Sequence, residues 1–295
     1  MKKTIFKGAG VALITPMKAD GSVNYETLES LIEFQIKNGT DAIISCGTTG
    51  ESATLSAQEK REVIKFTIKQ VAGRIPVIAG TGCNNTEAAV KSSLEAEELG
   101  ADGLLIVTPY YNKTSQSGLI RHYTTIAEKV STPIILYNVP SRTGLNIKPE
   151  TCLELSKHPN ICAIKEASGN ISQVAQIAAL CKDNLNIYSG NDDQIVPVLS
   201  LGGIGVISVF SNICPSECHK IVKEYLEGNV VESKNLQLKY LELMNAMFCD
   251  VNPIPVKEAV NLIGYHAGNC RLPLDKLSEA NQNHIEHIMK TYSLI

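Results

Sequence analysis

Residues 103–138 read GLLIVTPYYNKTSQSGLIRHYTTIAEKVSTPIILYN, and their pattern is the clearest indication of the fold class. It begins with a nearly continuous apolar run at 103–108 and ends with a second one at 133–138. Between them, residues 115–130 repeat apolar side chains at the spacing of an amphipathic helix. Continuous apolar strands are typical of parallel sheets that are covered on both faces. The stretch therefore predicts a strand–helix–strand unit.

The same alternation extends in both directions along the chain. Strands are predicted over residues 9–16, 42–46, 76–80, 103–108, 133–138, 161–166, 186–189 and 205–210. Helices are predicted over residues 25–38, 57–71, 86–99, 115–130, 149–157, 171–181 and 195–201. After residue 212 the strand signal stops, and only helices are predicted, over 217–227, 231–247, 256–264 and 274–289.

Eight strands that alternate with helices allow two α/β architectures. One is a closed (β/α)8 TIM barrel, and the other is an open, doubly wound sheet. A count of eight without an obvious insertion favours the barrel. We therefore expect a catalytic barrel over residues 1–225 and a C-terminal helical domain over 226–295.

Composition excludes several classes of protein. The 27 basic and 30 acidic residues give a net charge of −3, which is too balanced for the basic face of a nucleic-acid binder. The nine cysteines are odd in number and scattered, as expected for reduced thiols in the cytoplasm. No apolar stretch has the length of a membrane span, so we expect no membrane partner. His284 and His287 share a helix face without a third ligand, and we therefore expect no metal site.

Lys165 stands late in the apolar run 161–166, where a barrel places its active site. Desolvation disfavours the charged form of such a lysine, and a neutral amine is the nucleophile that attacks a ketone or an aldehyde. The alternative is a structural lysine that extends to solvent or pairs with Glu166. The residue alone leaves both interpretations open.

Two neighbouring segments carry further candidates. Tyr137 ends the fifth strand and could transfer protons, or it could be a core tyrosine. Arg142, in the next loop, could bind a carboxylate through two hydrogen bonds, or it could be solvated. The glycine loop 47–52, with Thr48 and Thr49, offers backbone and hydroxyl donors to a small carboxylate.

Seven motifs occur in order along the chain. They are GTTGES at 47–52, PYYN at 109–112, YNVPSRTG at 137–144, IKEA at 164–167, SGND at 189–192, GVIS at 205–208 and NPIPVK at 252–257. The ordered set closely resembles the dihydrodipicolinate synthase family over essentially the whole chain. This resemblance implies a (β/α)8 barrel with a C-terminal helical domain. It implies condensation of pyruvate with L-aspartate 4-semialdehyde, without a cofactor, in lysine and diaminopimelate biosynthesis. It also implies a homotetramer built as a dimer of dimers, with a dimer as the alternative.

The resemblance assigns roles to four reactive residues. Lys165 is expected to form a Schiff base with pyruvate. Tyr137 is expected to relay protons in a hydrogen-bonded chain with Thr48 and Tyr111. In the family, the tyrosine that matches Tyr111 comes from the neighbouring subunit.

Four more residues are expected to bind substrate. Thr49 matches the position that holds the pyruvate carboxylate, and Arg142 matches the one that binds the semialdehyde carboxylate. Gly190 and Ile207 match positions that line the pocket. Another pyruvate-dependent aldolase, such as an N-acetylneuraminate lyase or a keto-sugar-acid aldolase, remains an alternative, as does a noncatalytic barrel that binds a keto acid. Arg142 favours an aldehyde that carries a carboxylate.

The chain departs from lysine-inhibited members of the family at their regulatory site. Matching residues are present at Ser52, Ala53, Asn84 and Tyr110. Two histidine positions hold Ala57 and Lys60, and a glutamate position holds Ala88. We therefore expect lysine feedback to be weak or absent.

Overall fold

The computed structural model describes residues 2–295, and its centre is a closed barrel of eight parallel strands. The strands are paired in chain order, and the last one pairs with the first. Their bounds are β1 Gly8–Ala12, β2 Ala42–Ser45, β3 Val77–Gly80, β4 Gly103–Val107, β5 Ile134–Asn138, β6 Ile161–Glu166, β7 Asn186–Ser189 and β8 Gly205–Ser208. The expected (β/α)8 barrel is confirmed, and the open sheet is excluded.

Helices surround the barrel and continue beyond its last strand. They are α1 Tyr25–Lys37, α2 Ala57–Val71, α3 Thr86–Glu98, α4 Gln116–Ala127, α5 Pro140–Thr143, α6 Pro149–Leu155, α7 Ile171–Cys181, α8 Ile195–Ser200, α9 Pro215–Leu226, α10 Val230–Lys239, α11 Leu241–Ala246, α12 Ile254–Leu262 and α13 Glu279–Thr291. Three short 3-10 helices lie at Lys182–Asn184, Asp192–Gln194 and Phe210–Asn212.

Alternating side chains divide the core into two layers, because successive residues of a strand point to opposite faces. An inner cluster fills the barrel and includes Ile44, Leu105 and Ile207, whereas a larger outer cluster lies between strands and helices. Tyr188 stacks on Phe6 with ring centroids 4.4 Å apart. The interior of the barrel is therefore a packed core.

Local signals in the sequence position several helix ends. Ser56 and Glu59 form a capping box at the start of α2. Gly39, Gly73 and Gly100 adopt positive φ after helices α1, α2 and α3, where a residue with a Cβ would be strained. These short connections set the spacing of successive strand–helix units.

Several expected element bounds are wrong, and two strands and two helices illustrate this. The first strand ends at residue 12 rather than 16, and the eighth ends at 208 rather than 210. The helix expected over 231–247 is interrupted at Tyr240, whose ring packs between those of Phe210 and Tyr292, with 5.7 Å between centroids on each side. The helix expected from 274 begins only after its cap at Ser278.

The chain after α9 consists of helices that pack on one another and on the barrel loops. The boundary expected at residues 225–226 coincides with the end of α9, but it stays a prediction. None of the helices described for residues 2–295 combines the length and the apolar character needed to cross a bilayer.

Candidate active site

Lys165 lies inside the barrel, near the carboxyl end of β6. It follows Ala163 of the inner cluster by two residues, and its side chain therefore shares the inward face. It pairs in register with Tyr137 of β5 and Tyr188 of β7. The lysine is only 5% exposed, and its Nζ lies 4.5 Å from the centre of the Tyr137 ring. The amine and the phenol thus lie at one level of the barrel.

Glu166 points to the opposite face of β6 and does not pair with Lys165. Its Oε2 accepts hydrogen bonds from Asn138 Nδ2 at 2.9 Å and Gln173 Nε2 at 3.1 Å, and its Oε1 accepts one from the Ser168 backbone N–H at 2.7 Å. Within residues 2–295, Lys165 forms no hydrogen bond or ion pair with any protein group. The pairing that the sequence left open is therefore excluded.

A cavity of about 360 Å³ opens above Lys165 at the carboxyl ends of the strands. Its wall contains five of the eight expected site residues: Lys165, Tyr137, Thr49, Arg142 and Gly190. Other lining residues include Asn191, Asp192, Met244, Phe248 and Asn252. The walls thus combine a buried amine, a phenol, a hydroxyl and an exposed guanidinium, which together suit a small acidic ligand with a carbonyl group.

Three expected site residues lie outside this cavity wall. Thr48 is half-buried in the loop after β2. Tyr111 is 91% exposed and extends from the loop after β4. Ile207 is fully buried in the inner cluster of the barrel. The single chain therefore does not assemble the expected chain of Tyr137, Thr48 and Tyr111.

Gly190 follows β7 and packs directly against the lysine side chain. A Cβ at this position would lie 2.6 Å from the Cβ of Ala167 and 3.1 Å from the Cε of Lys165. Both distances are shorter than ordinary carbon–carbon contacts. Only glycine therefore fits beside Lys165 without displacing it.

The loop after β2 is fixed by a buried ion pair. Glu51 is 3% exposed and Lys257, on α12, is 1% exposed, and the two join at 2.5 Å. The second oxygen of Glu51 accepts the backbone N–H of Arg271 at 2.9 Å, and Lys257 also donates to the Asn269 carbonyl at 2.9 Å. The helices after the barrel thus hold the loop that carries Thr49.

Asn252 forms a second link to the C-terminal helices. Its Nδ2 donates to Thr49 Oγ1 at 3.0 Å, and its backbone carbonyl accepts from Arg142 Nη2 at 3.0 Å. Sequence reasoning quoted the motif that contains Asn252 but gave the residue no role. Its position before a helix is compatible with an ordinary cap, and no local pattern indicates a contact across 203 residues.

Asp192 joins the loops after β7 and β8, and sequence reasoning also missed it. Its Oδ2 accepts the backbone N–H groups of Val209 at 3.0 Å and Phe210 at 2.9 Å. Burial raises the pKa of Asp192, while hydrogen bonds from Ser208 and the two N–H groups, and the charge of Lys165, oppose this rise. A buried carboxylate therefore lies within the electrostatic range of the amine.

Residues 2–295 contain no cluster of three or more His, Cys, Asp and Glu side chains that could hold a metal ion. All nine cysteines are free thiols. Burial raises the pKa of Cys46 to about 12, so this thiol near the Thr49 loop is a poor nucleophile at neutral pH.

Residues 5–292 match the model of the Dihydrodipicolinate synthetase family. The chain belongs to this family. A curated relative from Caldicellulosiruptor saccharolyticus, named 4-hydroxy-tetrahydrodipicolinate synthase, is 61% identical over 290 residues, covering 98% of each chain.

Solved structures of the same family superpose closely on this chain. Dihydrodipicolinate synthase from Aquifex aeolicus is 44% identical with a TM-score of 0.96, covering 98% of this chain and 99% of its own. The chloride-inhibited enzyme from Acinetobacter baumannii, solved in complex with pyruvate, is 41% identical with a TM-score of 0.97, covering 99% of this chain and 100% of its own. Family membership is thus shown over the whole length.

Proposed function

We propose that this chain condenses pyruvate with L-aspartate 4-semialdehyde to form 4-hydroxy-tetrahydrodipicolinate. The observation that carries the proposal is the unpaired amine of Lys165, buried beside Tyr137 at the base of the cavity. Family membership supports it, because full-length relatives carry the name of this activity and one related structure contains pyruvate.

The first half of the reaction forms the carbon nucleophile. The Lys165 amine attacks the ketone carbon of pyruvate, and the carbinolamine loses water to give an iminium. Tyr137 moves protons to and from the carbinolamine. Loss of a methyl proton then gives an enamine. The iminium itself accepts the electron pair, so this step requires no cofactor.

The second half forms the carbon–carbon bond. The enamine attacks the aldehyde carbon of the semialdehyde, whose carboxylate is bound by Arg142. The semialdehyde amino group then attacks the iminium carbon and displaces Lys165 as the ring closes. Thr49 holds the pyruvate carboxylate through these steps, while Gly190 and Ile207 shape the space around the reacting atoms.

The proton relay requires a second subunit in this proposal. Tyr111 is almost fully exposed in the single chain, as expected of a side chain that completes a neighbour's site with Thr48 and Tyr137. We propose a homotetramer built as a dimer of dimers. Mixing inactive Lys165→Ala and Tyr111→Phe chains should restore part of the activity, because mixed dimers contain one complete site. Mixtures as inactive as their parents would contradict the shared site.

The cellular setting follows from the proposed reaction. We propose a cytoplasmic enzyme of lysine and diaminopimelate biosynthesis, and the nine free thiols support a reducing compartment. The substitutions at Ala57, Lys60 and Ala88 support weak or absent inhibition by lysine. Steady-state assays with added lysine test this, and inhibition at micromolar lysine would contradict it.

The choice of aldehyde separates this proposal from other pyruvate-dependent aldolases. Arg142 lines the cavity and offers a positive charge to an aldehyde that carries a carboxylate. We expect a panel of aldehydes to show pyruvate-dependent consumption of L-aspartate 4-semialdehyde and at least tenfold slower consumption of sugar aldehydes. A preference for a sugar aldehyde would identify a different aldolase. Consumption of no aldehyde would support a barrel that only binds a keto acid.

A further inference from the structure

Asn252 connects the two ends of the proposed substrate site. It lies between α11 and α12, outside the barrel, yet it is 5% exposed and forms part of the cavity wall. Its side-chain amide contacts Thr49, and its backbone carbonyl contacts Arg142. A single residue thus contacts both groups that are expected to hold substrate carboxylates.

The direction of the Thr49 contact has a chemical consequence. A threonine hydroxyl has one hydrogen to donate and two lone pairs that accept. Asn252 Nδ2 donates to Thr49 Oγ1 at 3.0 Å, so the hydroxyl is the acceptor in this contact. Over residues 2–295, no protein group accepts the hydrogen of this hydroxyl. The Thr49 hydrogen therefore remains available to a ligand oxygen in the cavity.

We propose that Asn252 is a positioning residue that orients the Thr49 hydroxyl as a donor to the carboxylate of the keto acid. This inference rests on the proposed function for the identity of that keto acid, pyruvate. An amide suits the role because it donates without carrying charge. An aspartate at this position would accept the Thr49 hydrogen and would place a negative charge near the pyruvate carboxylate.

The surrounding contacts hold Asn252 independently of Thr49. Lys257, one turn into α12, pairs with Glu51 in the same loop as Thr49. The Arg142 contact is made by the backbone of Asn252, which a side-chain substitution leaves in place. We therefore expect variants of the Asn252 side chain to fold and to keep their affinity for the aldehyde.

The test compares Asn252→Ala and Asn252→Asp in the full chain. For Asn252→Ala we expect the KM for pyruvate to rise about tenfold, and for Asn252→Asp about 100-fold, the range of a hydrogen bond to a charged group. The kcat and the KM for the semialdehyde should change less than about threefold. Asn261→Ala is the matched control, because Asn261 lies on α12 and its side chain, among residues 2–295, bonds only the backbone of Gly268.

A double-mutant cycle separates positioning from a general structural effect. In a Thr49→Val background, Asn252→Ala should not raise the pyruvate KM further. An unchanged pyruvate KM in Asn252→Ala would overturn the inference. So would a rise in pyruvate KM from Asn252→Ala that is equally large in the wild-type and Thr49→Val backgrounds. The pyruvate concentration that gives half-maximal trapping by borohydride can be compared among the same variants without any aldehyde. Failure of the proposed second substrate is thus distinguishable from failure of this inference.

Discussion

Lys165 and Glu166 are adjacent in one strand but lie in opposite environments. The period of two in β6 places the amine inside the barrel and the carboxylate among Asn138 and Gln173 behind it. The sequence indicated the position of Lys165 through its apolar run, but it left the pairing with Glu166 open. Only the hydrogen bonds of Glu166 decide that question, because the sequence does not show which donors surround the carboxylate behind the strand.

Gly190→Ala tests how tightly the amine is positioned. The added Cβ would lie 2.6 Å from Ala167 Cβ and 3.1 Å from Lys165 Cε, so the backbone at Ala167 or Gly190 has to shift and the lysine side chain has to give way slightly. We expect kcat to fall about 10- to 100-fold, since small displacements of a reacting group have effects of this size. Overpacking should lower the free energy of unfolding by only about 1–3 kcal/mol. Wild-type kcat in this variant would show that the amine tolerates displacement.

At the scale of elements, the strands and most helices were predictable because each follows from a local pattern. The strand expected over 9–16 was wrong in its length, because Ile14 and Thr15 bond loops instead of a neighbouring strand. The Ile14 backbone N–H donates to Asn212 Oδ1, and Thr15 Oγ1 donates to the Gly50 carbonyl. The helix 231–247 was wrong because aromatic packing at Tyr240 overrides a continuous apolar period. Contacts between distant elements had no local signal.

The contact between α12 and the loop after β2 gives a prediction at this scale. In Lys257→Met, Glu51 would keep the Arg271 N–H but lose its buried cation. We expect the free energy of unfolding to fall by about 3–5 kcal/mol, the usual result of leaving one buried charge unpaired.

The double variant Glu51→Gln/Lys257→Met is the matched control for that prediction. It removes both charges, so chemical denaturation should show that most of the lost stability returns. Equal losses in the single and double variants would show that the ion pair is not the cause.

For the whole molecule, the buried His122 makes the free energy of unfolding depend on pH. It lies on α4 beside α3, where Thr86 Oγ1 is 2.9 Å from its Nδ1, and its Nε2 has no hydrogen-bond partner among residues 2–295. Burial lowers the pKa of His122 to about 4. The unfolded chain therefore takes up this proton first, near pH 6.5, and the folded state loses stability as pH falls from 6.5 to 4. The expected loss is roughly 3 kcal/mol.

Denaturation curves between pH 7 and pH 4 check this assignment. In His122→Gln, the free energy of unfolding should fall less steeply as pH falls, because glutamine keeps a polar contact without titrating. His219 is the matched control. Its hydrogen bond to Asp41 raises its pKa, so its contribution to the free energy of unfolding is lost as pH rises rather than as pH falls. An unchanged slope in His122→Gln would assign the acid loss to other groups.

Reductive trapping of the whole chain shows whether Lys165 forms a Schiff base with pyruvate. The protein is treated with borohydride in the presence of pyruvate, digested and analysed by mass spectrometry. We predict one pyruvate-derived adduct on the side chain of Lys165 and none on that site in Lys165→Ala, with the barrel still folded by circular dichroism. The absence of an adduct, or an adduct on a different lysine, would contradict the proposed mechanism.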